Sequence, residues 1–337
     1  MVQSDELDYV AGTFVWSGFD YLGEARGWPQ NTKCRGTVAD VAGFTKETAY
    51  WLKSTWLSNI SKSDPGRPIN GVIDDDETTV FIIETWQPPP AGYGTQRHVT
   101  VYSNAPTIQL ELNGKVVGTQ RIPDYGQDSY GQCSFSLTYA AGNLTAVGLD
   151  AAGKILNTFT AMTPADSVKV ELTIDVPSAA TGTGDAVVAD GEDVAMLRAT
   201  IIDSAGRMNP NAMNNMTFKV VSGPGKIWAT HNGDPANTSP SLSGFTPAYH
   251  GLARAYIRTT SVSATSQLHR RRLREIDLEG SATVDVADPA IESPAVAAIV
   301  VEVTVDGLPP AQVSIPVTTD LAQLPMAVAV RAGAQAN

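Results

Sequence analysis

A chain of 337 residues with net charge −12 and a sequence pI near 4.7 is a poor match for nucleic acid or an anionic membrane surface. The 29 glycines and 21 prolines, set among abundant Val, Thr and Ala, favour strands and turns over helical bundles. The length suggests two or three domains with ample core, and the most apolar run, residues 295–301, is far too short to span a bilayer.

The chain opens with an acidic decapeptide, MVQSDELDYV, which lacks the basic start and apolar stretch of a signal peptide. No compartment is assigned on that basis. Residues 13–16, Thr-Phe-Val-Trp, read as a short buried strand, because they are apolar and β-branched with an aromatic end. Residues 17–24 (SGFDYLGE) then place aromatics, two glycines and the carboxylates Asp20 and Glu24 on the loop that leaves it. Residues 47–56 carry Ala49, Leu52 and Trp56 at helical spacing, with Thr45 or Lys46 near the helix start. Asp64-Pro65-Gly66-Arg67-Pro68 breaks the chain as a linker. A strand, a loop and one helix cannot enclose a core, so residues 1–64 require a partner surface.

From residue 68 to 164 the pattern is strand after strand: 80–86, 98–103, 107–112, 115–118, 134–139, 143–149 and 155–160. Asn113-Gly114 between two alternating runs is a strong hairpin signal. The remainder repeats the style, with strands predicted at 168–176, 194–203, 216–221, 251–259, 281–286, 299–305 and 312–317. Residues 190–193 and 222–225 are predicted turns, and residues 322–337 a frayed tail. Short strands at this spacing predict immunoglobulin-like sandwiches.

Chemistry-bearing motifs are few. Cys34 and Cys133 fall in different predicted domains and are expected to be free thiols. His98, His231, His250 and His269 show no ligand spacing, so no metal site is expected. Asn232-Gly233-Asp234-Pro235 reads as a tight turn or as a calcium loop. The basic run at 269–274 reads as a solvated loop or strand edge. No Gly-rich phosphate loop and no G-x-S-x-G elbow occurs, and no cofactor is expected. The sequons at Asn59, Asn143, Asn215 and Asn237 only weakly suggest an extracellular setting, since chance supplies about two.

The run GTFVWSGFDYLGE from Gly12 to Glu24 resembles the eighth-strand signature of family 2 glycoside hydrolases, in their β-galactosidase-like branch. Trp28-Pro29, residues 36–44 (GTVADVAGF), then Tyr50 and Trp56 follow in that branch's order. Residues 101–104 (VYSN) with 110–115 (LELNGK) and Gly118 resemble the sandwich that follows the barrel. Residues 189–193 (ADGED), Asp203, 223–225 (GPG) and 232–235 (NGDP) resemble the final immunoglobulin-like domain.

The resemblance implies a mainly β chain: two consecutive immunoglobulin-like β-sandwiches preceded by a strand–loop–helix remnant of a (β/α)8 barrel, with domains 1–64, 65–164 and 165–337. It implies retaining hydrolysis of O-glycosyl bonds, of β-galactosides first, by two carboxylates about 5 Å apart. In the family those glutamates stand on the fourth and seventh barrel strands. This chain is therefore expected to lack both, to be inactive alone, and to have the missing barrel portion as its partner. Relatives of this kind are often secreted. Trp16 is, by resemblance, the aromatic platform under the sugar, and otherwise a core residue capping the barrel. Asp20 and Glu24 hold sugar hydroxyls or orient neighbouring loops; an autonomous catalytic pair is a third reading. The alternative to a glycosidase is a non-catalytic carbohydrate-binding or scaffolding protein, with Trp86 and Trp228 as exposed platforms.

Overall fold

The computed structural model describes residues 9–10, 12, 14–63, 78–90, 92–123, 131–261 and 298–318. The chain divides into two compact units, one of residues 1–166 with 233–237, the other of residues 167–232 and 238–337. The predicted strand 281–286, the basic run and the tail lie outside the described residues. Among the described residues, no helix is long and apolar enough to cross a membrane.

In the first unit a hairpin, β1 (Tyr21–Gly27) and β2 (Gln30–Lys33), precedes helix α1 (Glu47–Ser63). A sandwich follows. Strands β3 (Val80–Ile82), β4 (Gln96–Ser103) and β7 (Gln132–Thr138) form one sheet in the order β3-β4-β7. Strands β5 (Thr107–Leu112), β6 (Lys115–Arg121), β8 (Asn143–Leu149) and β9 (Ile155–Met162) form the other, in the order β6-β5-β8-β9. The alternation seen in the sequence has its expected cause: Val99 and Val101 of one sheet and Ile108, Leu110, Leu144 and Ala146 of the other share one buried cluster. The β5–β6 turn uses Asn113 at φ 54 and Gly114 at φ 77, the paired left-handed residues that a two-residue hairpin requires.

The second unit repeats the plan. Strands β10 (Lys169–Val176), β12 (Val194–Ile202), β14 (Gly225–His231) and β16 (Leu252–Thr259) form a sheet in the order β10-β12-β16-β14. It faces β13 (Asn215–Ser222), β15 (Phe245–Pro247), β17 (Ile299–Val305) and β18 (Leu308–Ile315), ordered β15-β13-β17-β18. Leu197, Ile201 and Ile257 of the first sheet pack with Phe218, Val301 and Val303 of the second. A short parallel pair, β11 (Val187–Val188) and β19 (Val317–Thr318), closes the unit. Asp175 accepts hydrogen bonds from Arg198 Nε and Nη2 and from Arg254 Nη2, tying three neighbouring strands together through one carboxylate.

Three sequence expectations are corrected here. Residues 14–16 form no strand, and the Phe14 and Trp16 side chains are exposed. An apolar run becomes a barrel strand only beside partners that take its backbone hydrogen bonds. The predicted strand 80–86 ends at Ile82: Glu84 turns its carboxylate to accept the Thr100 N–H at 2.7 Å, replacing a ladder carbonyl. Trp86 is buried, 2% exposed, so it is not a surface platform.

Helix α1 receives the surface it needs from the first sandwich. Tyr50 stacks flat on Phe81, ring centroids 3.7 Å apart, and Leu52, Ser54 and Thr55 are buried. Gly131 passes this helix so closely that an added Cβ would lie 3.2 Å from Thr55 Cγ2. Trp56, expected on the same face as Leu52, is half exposed.

Both cysteines are free thiols. Burial on β7 pushes the Cys133 thiol up from 9.0 to about 12. The native state therefore keeps a proton that the unfolded chain releases, so the associated stability is complete below pH 9 and is lost as pH rises toward 12. The loss is at most about 1.4 kcal/mol per pH unit. In thermal melts across that range, wild type is expected to lose stability more steeply than Cys133→Ala; parallel slopes would contradict this.

Candidate functional site

The sequence places Trp16 at the end of a predicted strand and Asp20 and Glu24 on the loop that leaves it, and the structure separates the three into two groups. Asp20 is buried. Its backbone N–H donates to Ala39 O at 2.9 Å, beside Ala39 N–H to Gly18 O and Val38 N–H to Ser17 O. The carboxylate accepts from Lys46 Nζ at 3.0 Å and from the Thr37 hydroxyl. Lys46 Nζ also donates to Thr37 Oγ1 at 2.8 Å and to Cys34 O at 2.6 Å, which uses all three of its protons. Lys46 N–H in turn donates to Val38 O. Asp20 thus joins the loop at 17–20, the segment 34–39 and the start of α1, and it holds neighbouring loops, with its side chain turned away from solvent.

Trp16 and Glu24 stand on the open side and are linked through Tyr21. The indole Nε1–H donates to Tyr21 Oη at 3.0 Å, and the Tyr21 hydroxyl donates to Glu24 Oε2 at 2.5 Å. The Trp16 and Tyr21 rings meet edge to face, 6.3 Å between centroids at 89°. The hydrogen bond to Glu24, opposed by that from Trp16, raises the Tyr21 phenol above its ordinary value of 10.0. Phe14, Phe19, Leu22 and Trp28 also expose their side chains. The arrangement offers one indole face, 74% exposed, beside a carboxylate, a pairing suited to the C–H face and hydroxyls of a sugar.

Two contributors escape sequence reasoning. Tyr21 lies within the quoted motif, but three residues from Glu24 it would face the opposite side of a regular strand. Strand β1 of the hairpin has no alternation and is mostly exposed, and the chain reverses into β2 at the Trp28-Pro29 turn. Lys46 is a lone lysine at a helix start and carries no spacing signal.

The other motifs take structural roles. Residues 233–237 form a tight turn: Gly233 has φ 81, Asp234 Oδ1 accepts the Ala236 N–H and Asp234 O the Asn237 N–H. Asn31 holds that turn, its N–H donating to Pro235 O and its side chain to Asn237 O. Asp190 Oδ1 accepts from Glu192 N–H and Asp193 N–H, the turn expected there. Trp86 lines an open cleft of about 430 Å³ with Glu84, Arg97 and His98, but its ring offers no stacking face. Trp228 is partly exposed, and Arg258 lies over its ring at 4.5 Å.

In chain order, two sandwiches follow an aromatic-rich hairpin. Glycoside hydrolase family 2 C-terminal domain 5 matches residues 179–271, and a domain of unknown function (DUF4982) matches residues 94–157. The chain is 25% identical over 281 residues to the beta-galactosidase BoGH2A of Bacteroides ovatus, covering 81% of this chain and 29% of that protein. It is 29% identical over 259 residues to a beta-glucuronidase of Formosa agariphila, covering 76% and 23%. Its fold matches a beta-glycosidase from Bacteroides vulgatus with a TM-score of 0.68 at 20% identity, over 93% of this chain and 32% of that one. A family 2 glycosyl hydrolase from Bacteroides cellulosilyticus matches with a TM-score of 0.65 at 20% identity, over 92% and 35%. In sequence the chain is similar to the C-terminal part of family 2 glycoside hydrolases, and residues 179–271 match that family's C-terminal domain 5. It spans less than a third of the length of the curated relatives it matches.

Proposed function

We propose that this chain is the C-terminal portion of a retaining β-glycosidase, of β-galactosidase type, and acts on O-glycosyl bonds only together with a barrel that carries the acid/base and the nucleophile. In this reading residues 1–64 complete the barrel, 65–164 form the sandwich after it and 165–337 the terminal sandwich. The observation that supports it best is the exposed aromatic end of the first unit, where Phe14 is 104%, Trp28 80% and Trp16 74% exposed. Apolar surface left in water costs roughly 25 cal/mol per Å², and a group of rings this open marks a contact surface. The rest of a barrel would cover Phe14, and Trp16 would remain facing the sugar.

The coding region ahead of Met1 tests the reading directly. An in-frame barrel with two strand-end glutamates is expected, and a stop codon immediately upstream would sink it. The isolated chain is expected to leave aryl β-galactosides unhydrolysed. Within the joined enzyme, Trp16→Ala is expected to lower kcat/KM by about tenfold or more, equivalent to roughly 1.4 kcal/mol of transition-state stabilisation. A π face attracts the positive charge that develops on the oxocarbenium-like sugar more than it attracts the ground state. Trp16→Phe is expected to lose less. If both variants melt earlier while turnover per folded molecule stays normal, Trp16 is a core cap and the platform reading fails.

A further inference from the structure

We propose that Tyr21 and Glu24 are positioning residues that set the plane of the Trp16 indole, with Glu24 acting through the Tyr21 hydroxyl. The inference rests on the reading of Trp16 as the stacking platform.

The polarity of the chain of hydrogen bonds is unambiguous. An indole N–H can only donate and an ionised carboxylate can only accept, so the single hydroxyl between them must accept from Trp16 and donate to Glu24. A hydroxyl whose proton is committed to a carboxylate is a better acceptor at its lone pairs, which strengthens its hold on the indole. The raised Tyr21 phenol stays protonated at neutral pH, as this arrangement requires. The edge-to-face contact adds a second restraint on the ring plane.

The backbone is bent to make this link. In a regular strand, residues three apart face opposite sides. In β1 the register against β2 shifts between Leu22 and Gly27, Gly23 sits at φ 93 and Glu24 at φ 49. That bulge turns the Glu24 side chain back to the side of Tyr21, the kind of re-aiming for which bulges near functional sites are used. A left-handed conformation that a glycine would adopt without strain is here imposed on a glutamate. What the side chain gains in return is the Tyr21 hydroxyl. Asp20, one residue before Tyr21, is committed to Lys46 and Thr37 and does not compete for this position.

The test is indole NMR on the full 337-residue chain, whose six tryptophans permit assignment of Trp16 by its loss in Trp16→Phe. In Tyr21→Phe the ring contact is kept and only the hydroxyl goes. The Trp16 indole proton is expected to move upfield and to exchange with solvent about fivefold faster, the scale of one lost hydrogen bond. Glu24→Ala is expected to shift it in the same direction. Glu24→Gln is expected to restore most of the wild-type signal, because an amide oxygen still accepts from Tyr21. A merely structural role would lower the melting temperature without singling out Trp16, and an unmoved Trp16 signal in Tyr21→Phe overturns the proposal. Titration with methyl β-galactoside, carried out on the chain joined to its barrel, separates the two readings. If the sugar leaves Trp16 of the wild type unmoved while the variants still shift it, the platform reading fails and the positioning stands.

Discussion

Lys46→Met is expected to destabilise the segment around the candidate site by about 3–5 kcal/mol, the cost of removing one partner from a buried ion pair. Methionine keeps the aliphatic stem and its packing but removes the ammonium, leaving the Asp20 carboxylate, 2% exposed, with the Thr37 hydroxyl as its remaining side-chain donor. Cys34 O loses its Lys46 donor at the same time. The effect should appear in hydrogen exchange of the Asp20, Ala39 and Lys46 amides, whose bonds knit residues 17–20 to 38–39 and to the start of α1. Adding Asp20→Asn to Lys46→Met removes the stranded charge and is expected to recover most of the loss, because a neutral amide still pairs with Thr37. If Lys46→Met stayed within about 0.5 kcal/mol of wild type, the latch would be an ordinary surface pair. An Asp20 that served mainly to hold sugar would also give the opposite pattern: lost ligand affinity at normal amide protection.

Trp86→Ala is expected to cost the first sandwich about 3–5 kcal/mol, in line with truncating a large buried ring. The Trp86 ring packs beside Tyr139, centroids 5.0 Å apart, and its Nε1–H donates to Ala140 O at 2.9 Å. Truncation leaves a cavity and strands that carbonyl, so both terms act in the same direction. Protection of the β4 and β8 amides should fall, while the amides of β12 and β16 in the second unit should keep theirs. The carbohydrate-binding alternative makes the reverse prediction for this residue, namely weaker sugar binding at unchanged stability. Normal amide protection in Trp86→Ala would restore that alternative and show that its burial contributes little.

The strand series was readable because its signal is local. Alternation of apolar and polar residues over 98–103, 107–112 and 194–203 marks one buried face, and β4, β5 and β12 follow those runs to within two residues. The turn at Asn113-Gly114 was equally plain, since a two-residue hairpin demands left-handed residues and the sequence supplies the pair that tolerates them best. Strand β14 lacks the alternation signal, because Ile227, Trp228 and Ala229 are consecutive apolar residues and its register against β16 shifts there. Strands as short as β11 and β19 carry too few residues to show a period.

Composition and local periodicity alone settle that this is an acidic, mainly β chain of serial sandwiches, and the order of its motifs places it beside family 2 glycosidases. Those properties depend on residue type and near-neighbour spacing, which a linear string contains in full. The division of Trp16, Asp20 and Glu24 into an exposed indole relay and a buried latch came from the fold. It depends on a bulge that rotates Glu24 toward Tyr21, and on Lys46 arriving from 26 residues away to neutralise Asp20. The fate of the tryptophans was decided in the same way. Trp16 and Trp86 are the same residue type at the end of similar apolar runs, and one stands 74% exposed while the other is 2% exposed. Burial is set by what packs opposite a side chain, and for Trp86 that is Tyr139 and the Ala140 carbonyl, more than fifty residues further along the chain.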